Sequence, residues 1–168
     1  MFESGGRPEG TKKDIYEELA RQASGLFHGE RDAIANAANL AALIAWGLAD
    51  LNWAGFYILR GDELVLGPFV GKPACVRIAL GRGVCGTAAA ERRSVLVEDV
   101  HAFPGHIACD AASASELVVP LFRGGGLVGV LDLDSPLKGR FDAEDRDGCE
   151  ALARLYLAAS DPFHAGLA

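Results

Sequence analysis

The sequence has little positive charge. It carries 16 Lys and Arg against 23 Asp and Glu, a formal net charge of −7. Its only basic clusters, Lys12–Lys13 and Arg92–Arg93, are too short to hold a phosphate backbone. No nucleic-acid partner is expected. A long apolar run is also missing: the most apolar stretch, Asn39 to Leu48, is too short to cross a bilayer and contains Trp46 and Gly47. No membrane association is expected either. The first ten residues, MFESGGRPEG, show no basic region followed by an apolar one, so the reading is a cytoplasmic protein without a signal peptide. There, structural disulfides are disfavoured, and cysteines more often serve catalysis, redox sensing or metals. Internal repeats and a domain linker are absent. At 168 residues, half of them hydrophobic, the chain reads as a loose arm (1–10), one folded domain (11–160) and a tail (161–168).

What is present is concentrated between Gly67 and Glu116. This glycine-rich, non-periodic stretch holds three of the four cysteines (Cys75, Cys85 and Cys109) and two histidines, His101 and His106. An ordinary core does not need three thiols there. Three readings stand beside one another: a zinc site drawing on these residues, plain buried cysteines, and thiol redox chemistry. The lack of any CxxC pair counts against structural zinc, and no metal is expected. Free cysteines are among the most buried residues, and Cys149, on the apolar face of the last helix, reads as one of those. A helix N-terminus and nearby Arg82 favour a thiolate at Cys85, whereas Asp110 disfavours one at Cys109.

The element pattern is α+β. A helix opens at Thr11 and Asp14 and ends near His28–Gly29; Asp32 caps a second, Ala-rich helix. A hairpin follows, with strands Trp53–Leu59 and Leu64–Phe69. Its period of two puts Trp53, Gly55 and Tyr57 on one face, with Gly55 leaving a space between two rings. These aromatics are core or the walls of a small apolar slot. Val76–Leu80 reads as a strand, Gly83–Glu91 as a helix and Ser94–Val97 as a strand. Glu98–Ser115 has no period and reads as a long binding loop or lid. Strands Glu116–Phe122 and Leu127–Asp134 form a second hairpin, and Asp142 caps the last helix.

Asp132 and Asp134 are two apart in an otherwise apolar strand, so they share a face with Val128 and Val130. A three-residue loop at Gly124–Gly126 places Glu116 opposite Asp134 and on that face, whereas a two-residue loop places it on the other. The three-residue register is the expectation. Three carboxylates on one face raise one another's pKa, and a group that keeps its proton near neutral pH can act as a general acid. A solvated strand end with ordinary aspartates is the alternative.

WAGFY (53–57), LGPFVGKPACVRI (66–78), GRGVCGTAAAE (81–91), DVHAFPGHIACD (99–110), VVPL (118–121) and GVLDLDSP (129–136) together resemble the free methionine-(R)-sulfoxide reductases, which are single GAF-domain enzymes. The similarity runs from about residue 32 to residue 157, and the cysteine separations of ten and then twenty-four residues are not expected of GAF domains in general. The resemblance implies one GAF domain with an antiparallel sheet flanked by helices, and an antioxidant repair activity on the free amino acid. It places Cys109 as the nucleophile, Cys75 at the usual resolving position, and Cys85 at a third cysteine that can resolve or relay instead. Glu116 and Asp134 become proton donors to the sulfoxide oxygen, with Asp132 completing the network. Glu116, Asp132, Asp134, Trp53 and Tyr57 become the substrate-binding set. No bound cofactor is implied; thioredoxin, fed by NADPH, is the external reductant. A homodimer is the expected assembly. The rival readings are a non-catalytic GAF sensor of a small molecule and a thiol-based redox sensor.

Overall fold

The computed structural model describes residues 6–105 and 112–163. The Thr11 hydroxyl accepts from the Asp14 amide while the Asp14 carboxylate accepts from the Thr11 amide, and this reciprocal box opens α1 (Lys12–Leu26). Asp32 caps α2 (Ala33–Gly47) by accepting from the amides of Ile34 and Ala35. Strands β1 (Trp53–Arg60), β2 (Glu63–Gly71) and β3 (Arg77–Ala79) follow. Helix α3 (Gly83–Glu91) leads into β4 (Val95–Val97), a single 3-10 turn (Val100–Ala102) and the hairpin of β5 (Ser115–Arg123) and β6 (Gly126–Ser135). A second reciprocal box, Asp142 with Asp145, opens α4 (Ala143–Ala159). The six strands form one antiparallel sheet in the order β3-β2-β1-β6-β5-β4. Among the described residues, no helix is long and apolar enough to cross a membrane.

Each face of the sheet has its own core. Phe56, Leu117, Leu131 and Leu133 point to one face and pack beneath α2 and α4 with Leu40, Ile44, Leu152 and Tyr156, while α1 adds Leu19. Trp53, Tyr57, Val118 and Val130 point to the other face, where, among the described helices, α3 brings Val84, Cys85 and Ala88 and the 3-10 turn brings Val100. The helices are therefore unequally shared. The face with the fewer described helices is the one that carries the cavity.

The central hairpin pairs as expected, but for a different reason. Its turn has two residues, Gly124 and Gly125, with φ of +56° and +79°. Both lie in the left-handed region that two-residue hairpins require. Such a turn alone puts Glu116 on the wrong face. A bulge corrects it: Leu121 pairs with Gly129 and Phe122 with Leu127, so Val128 is an extra residue. Beyond the bulge Glu116 faces Asp134 and Val118 faces Asp132. Val128, expected on the carboxylate face, packs instead against the core under α2 and α4, and Leu127 takes its place on the α3 side.

Asp145 ties the outer helices together. It is fully buried and accepts hydrogen bonds from the Tyr16 hydroxyl at 3.0 Å and from Arg140 at 3.2 Å, while Lys12 pairs with its other oxygen. Removing one side of a buried ion pair strands the remaining charge. Asp145→Ala is therefore expected to lower the unfolding free energy by about 3–5 kcal/mol, read from urea unfolding under reducing conditions.

Candidate active site

Strand pairing assembles the site. Trp53 and Glu116 both pair with Asp134, Gly55 pairs with Asp132, and Tyr57 pairs with Val130. Directly opposed residues share a face, so Trp53, Tyr57, Glu116, Asp132 and Asp134 all project toward α3. Helix α3 lies over them and presents Cys85 from its first turn. These six side chains line one cavity of about 40 Å³, together with Lys72, Arg82 and Ser113.

Its electrostatics follow from burial. The Cys85 thiol lies 3.9 Å from Oε1 of Glu116, and Cys85, Glu116 and Asp132 each offer an atom within 4.8 Å of the others. All three are buried. Burial, reinforced by the charges of Asp132 and Asp134, holds the Glu116 carboxyl well above the usual carboxylate range. Burial likewise pushes Asp132 up to about 7, with hydrogen bonds from Cys85 and Glu116 working the other way. These groups share their protons instead of titrating singly. Oδ1 of Asp132 is buried and finds no hydrogen-bond partner among the described residues, so one acceptor of a cavity-lining carboxyl stays unused. The solvated strand end is not what forms.

The expected thiolate at Cys85 is corrected by the same surroundings. Its thiol is pushed well up, first by burial and then by Asp132 and Glu116, which outweigh the helix N-terminus. Cys75 is a free, half-buried thiol packed against the α3-side core. Cys109 and His106 lie outside the described residues. His101 is exposed in the 3-10 turn. Among the described residues, the three able to share an ion are Cys85, Glu116 and Asp132, not a cysteine–histidine set. Cys149 is buried against Tyr16, and burial lifts its thiol to about 12, as suits an inert core cysteine.

The aromatic readings merge. Trp53 and Tyr57 are nearly fully buried and also line the cavity. Gly55 leaves no empty space between them, because the Trp53 indole folds over it. A Cβ there would stand 2.7 Å from Cη2 of Trp53 and 2.4 Å from Cβ of Phe69. Trp53 stacks on Phe69 at 5.3 Å and on Tyr57 at 6.0 Å, making one aromatic wall. The polar ends of that wall have a further task invisible in the strand period. Trp53 Nε1 donates to the Lys72 carbonyl and the Tyr57 hydroxyl to the Cys75 carbonyl, pinning the segment that carries Cys75 beside the cavity. Ser113 was equally hidden. It is buried and accepts from Asn52 Nδ2 at 3.0 Å, and no local pattern joins residues 61 positions apart.

Burial of Asp132 has a measurable sign. Its proton is held more tightly in the folded than in the unfolded chain, whose pKa is near 3.8. The stabilising contribution is complete below about pH 4 and is lost as pH rises toward 7. Asp132→Asn is expected to flatten the fall in unfolding midpoint across that window, checked by thermal melts at a series of pH values.

Residues 35–159 match the GAF domain family model. The free methionine-R-sulfoxide reductase of Escherichia coli (strain K12) is 54% identical over 142 residues, covering 84% of this chain and 86% of that protein. The chain belongs to the free methionine-R-sulfoxide reductase family of GAF domains. Among solved structures, the free methionine-R-sulfoxide reductase of Neisseria meningitidis in complex with its substrate superposes with a TM-score of 0.90 at 42% identity, covering 95% of each chain. A Burkholderia vietnamiensis protein named for a GAF sensor role reaches 0.87 at 60% identity, covering 90% of this chain and 96% of that one. Reductase family members and a protein named as a sensor thus share one fold, and the chemistry must be argued from the cavity.

Proposed function

We propose that this protein reduces free L-methionine-(R)-sulfoxide to methionine. The observation that carries the reading is the buried carboxyl pair, Glu116 and Asp132, aimed into a small cavity against an aromatic wall. A sensor pocket has no need of a carboxyl kept protonated near neutral pH. A reaction that must protonate a sulfoxide oxygen does. The aromatic wall suits the S-methyl group, and the acidic floor suits the ammonium of a free amino acid. The tightness of the cavity supports exclusion of a peptide-bound residue.

The chemistry proceeds by oxygen transfer. The Cys109 sulfur attacks the sulfoxide sulfur while Glu116, supported by Asp134, donates a proton to the oxygen. The protonated oxygen passes from the methionine sulfur to the Cys109 sulfur: the sulfoxide S–O bond and the transient S–S bond break, a new S–O bond forms on Cys109, methionine leaves, and Cys109 is left as a sulfenic acid. A second thiol condenses with it, forming a disulfide and releasing water. Thioredoxin, kept reduced by NADPH, then reopens the disulfide by exchange. No bound cofactor is needed. Cys75 is the better resolving group, being half-buried, whereas Cys85 is enclosed with a strongly raised thiol pKa. The deciding experiment supplies thioredoxin, thioredoxin reductase, NADPH and free methionine sulfoxide racemic at sulfur. NADPH consumption that halts near half of the substrate is the expected result; no consumption would leave a sensor. Cys75→Ser is expected to release one methionine per protein and then stall. Sustained turnover by that variant would move the resolving role to Cys85.

A further inference from the structure

Three side chains at the cavity converge from three elements. Cys85 comes from the first turn of α3, Glu116 from β5 and Asp132 from β6. A sulfur and two carboxylate oxygens, one from each, lie within 4.8 Å of one another, with the Cys85 sulfur 3.9 Å from Oε1 of Glu116. Proton sharing accounts for the contacts the trio makes with itself. It does not account for Oδ1 of Asp132, an acceptor on a residue only 5% exposed that finds no donor among the described residues. A buried acceptor without a partner costs free energy, and a cation at the carboxyl removes that cost. We propose that Cys85, Glu116 and Asp132 form a binding site for a thiophilic divalent cation of the zinc class, which occupies the cavity in competition with substrate.

Geometry and charge select this ligand. Zinc holds a thiolate sulfur at about 2.3 Å and a carboxylate oxygen at about 2.0–2.2 Å, so a tetrahedral sulfur–oxygen pair spans roughly 3.5 Å. The 3.9 Å between Cys85 and Glu116 closes to that by a small rotation of either side chain. The cavity of about 40 Å³ has room for the ion and one water as fourth ligand. Magnesium and calcium suit the site poorly, because they take six or more oxygen ligands and sulfur fills one of the three places here. The charge balance also favours a cation. Arg82 and Lys72 line the cavity and oppose it, but Asp134 lines it too, paired with Glu116 across the strands, and coordination adds a thiolate. On binding, the S–H bond gives way to a sulfur–metal bond and the proton passes to solvent. A cation reverses the effect of burial on all three groups, since their negative forms become the favoured ones. With three protein ligands and an open fourth position, the ion exchanges with solvent and does not staple the fold. A Glu116 carboxylate bound to metal has no proton to donate, so occupancy halts reduction; that consequence, unlike the binding, rests on the reductase reading.

Cobalt(II) serves as the probe, because its thiolate complexes absorb in the near ultraviolet. Added to the reduced full chain, it is expected to give a sulfur-to-cobalt charge-transfer band that saturates at one ion per chain, survives excess magnesium and is lost to zinc. The double variant Cys75→Ser/Cys109→Ser should keep the band, whereas Cys85→Ser should lose it. Asp132→Asn should bind at least about ten-fold more weakly, the lower end of the effect of losing even an outer-shell partner. Thermal melts establish that each variant is folded. No band in the reduced wild-type chain overturns the proposal, as does a band that persists in Cys85→Ser or vanishes in the double variant. Zinc is also expected to stop methionine release in a single turnover of prereduced protein, and EDTA to restore it. Undiminished release by zinc-saturated protein overturns the competition with substrate. A cobalt band in a chain that releases no methionine with or without zinc would sink the reductase reading and leave the metal site standing.

Discussion

Cys109→Ser is expected to abolish turnover, by at least about a thousand-fold, the scale on which losing a nucleophile acts. A sulfoxide sulfur yields its oxygen only to a nucleophile that can carry it away, and serine oxygen cannot form the sulfenic acid that stores it. Among the described residues, no thiol is suited to substitute. Cys85 is enclosed with carboxyls that keep it protonated, Cys149 is a core residue bonded to Tyr16, and Cys75 sits to the side, on the segment pinned by Trp53 and Tyr57. The measurement is methionine released per protein in a single turnover, with a sulfenic acid trap read by intact mass. The wild type should give one equivalent and an intramolecular disulfide, and Cys75→Ser one equivalent and one trapped adduct; the Cys109→Ser variant should give neither while still melting at the wild-type temperature. A Cys109→Ser variant that releases a full equivalent would pass the nucleophile's role to Cys75 or Cys85, and the single-cysteine variants would say which.

Much of this arrangement was legible in the sequence because it depends on period two. Asp132 and Asp134 alternate with leucines, and Trp53 and Tyr57 flank Gly55, so each pair had to share a face. That Glu116 joins them was not decidable from local rules. The turn chemistry of Gly124 and Gly125 argues for one register and the hydrophobic pattern for the other, and the bulge at Val128 reconciles them. A bulge satisfies a long-range demand, the matching of β6 to both β5 and β1, which no short window contains. The state of Cys85 was hidden for a related reason. A helix N-terminus is visible in a sequence, but the two carboxyls that outweigh it come from strands 31 and 47 residues away. The α2 face is the reverse case. Its lack of charged residues is plain in the sequence, but which side faces away from the core becomes apparent only once the sheet has taken the other.

Glu116→Gln is expected to slow the chemical step by about a hundred- to ten-thousand-fold, the range for a lost general acid. Glutamine keeps the volume and can still donate a hydrogen bond, but it has no proton to give up as the S–O bond breaks. Binding should change far less than rate, so the loss falls on kcat and not on KM. The pH profile separates this role from a structural one. Because Glu116 is held well above the usual carboxylate range and is coupled to Asp132 near 7, kcat/KM in the wild type should fall as pH rises past neutrality and the shared proton is lost. That descending limb should vanish in Glu116→Gln. Asp134→Asn tests the coupling from the other side. The Asp134 charge is one of the causes that raise Glu116, so its removal makes Glu116 more acidic and moves the limb to lower pH. A limb that stays where it was in both variants would take the proton from these carboxyls and return it to solvent.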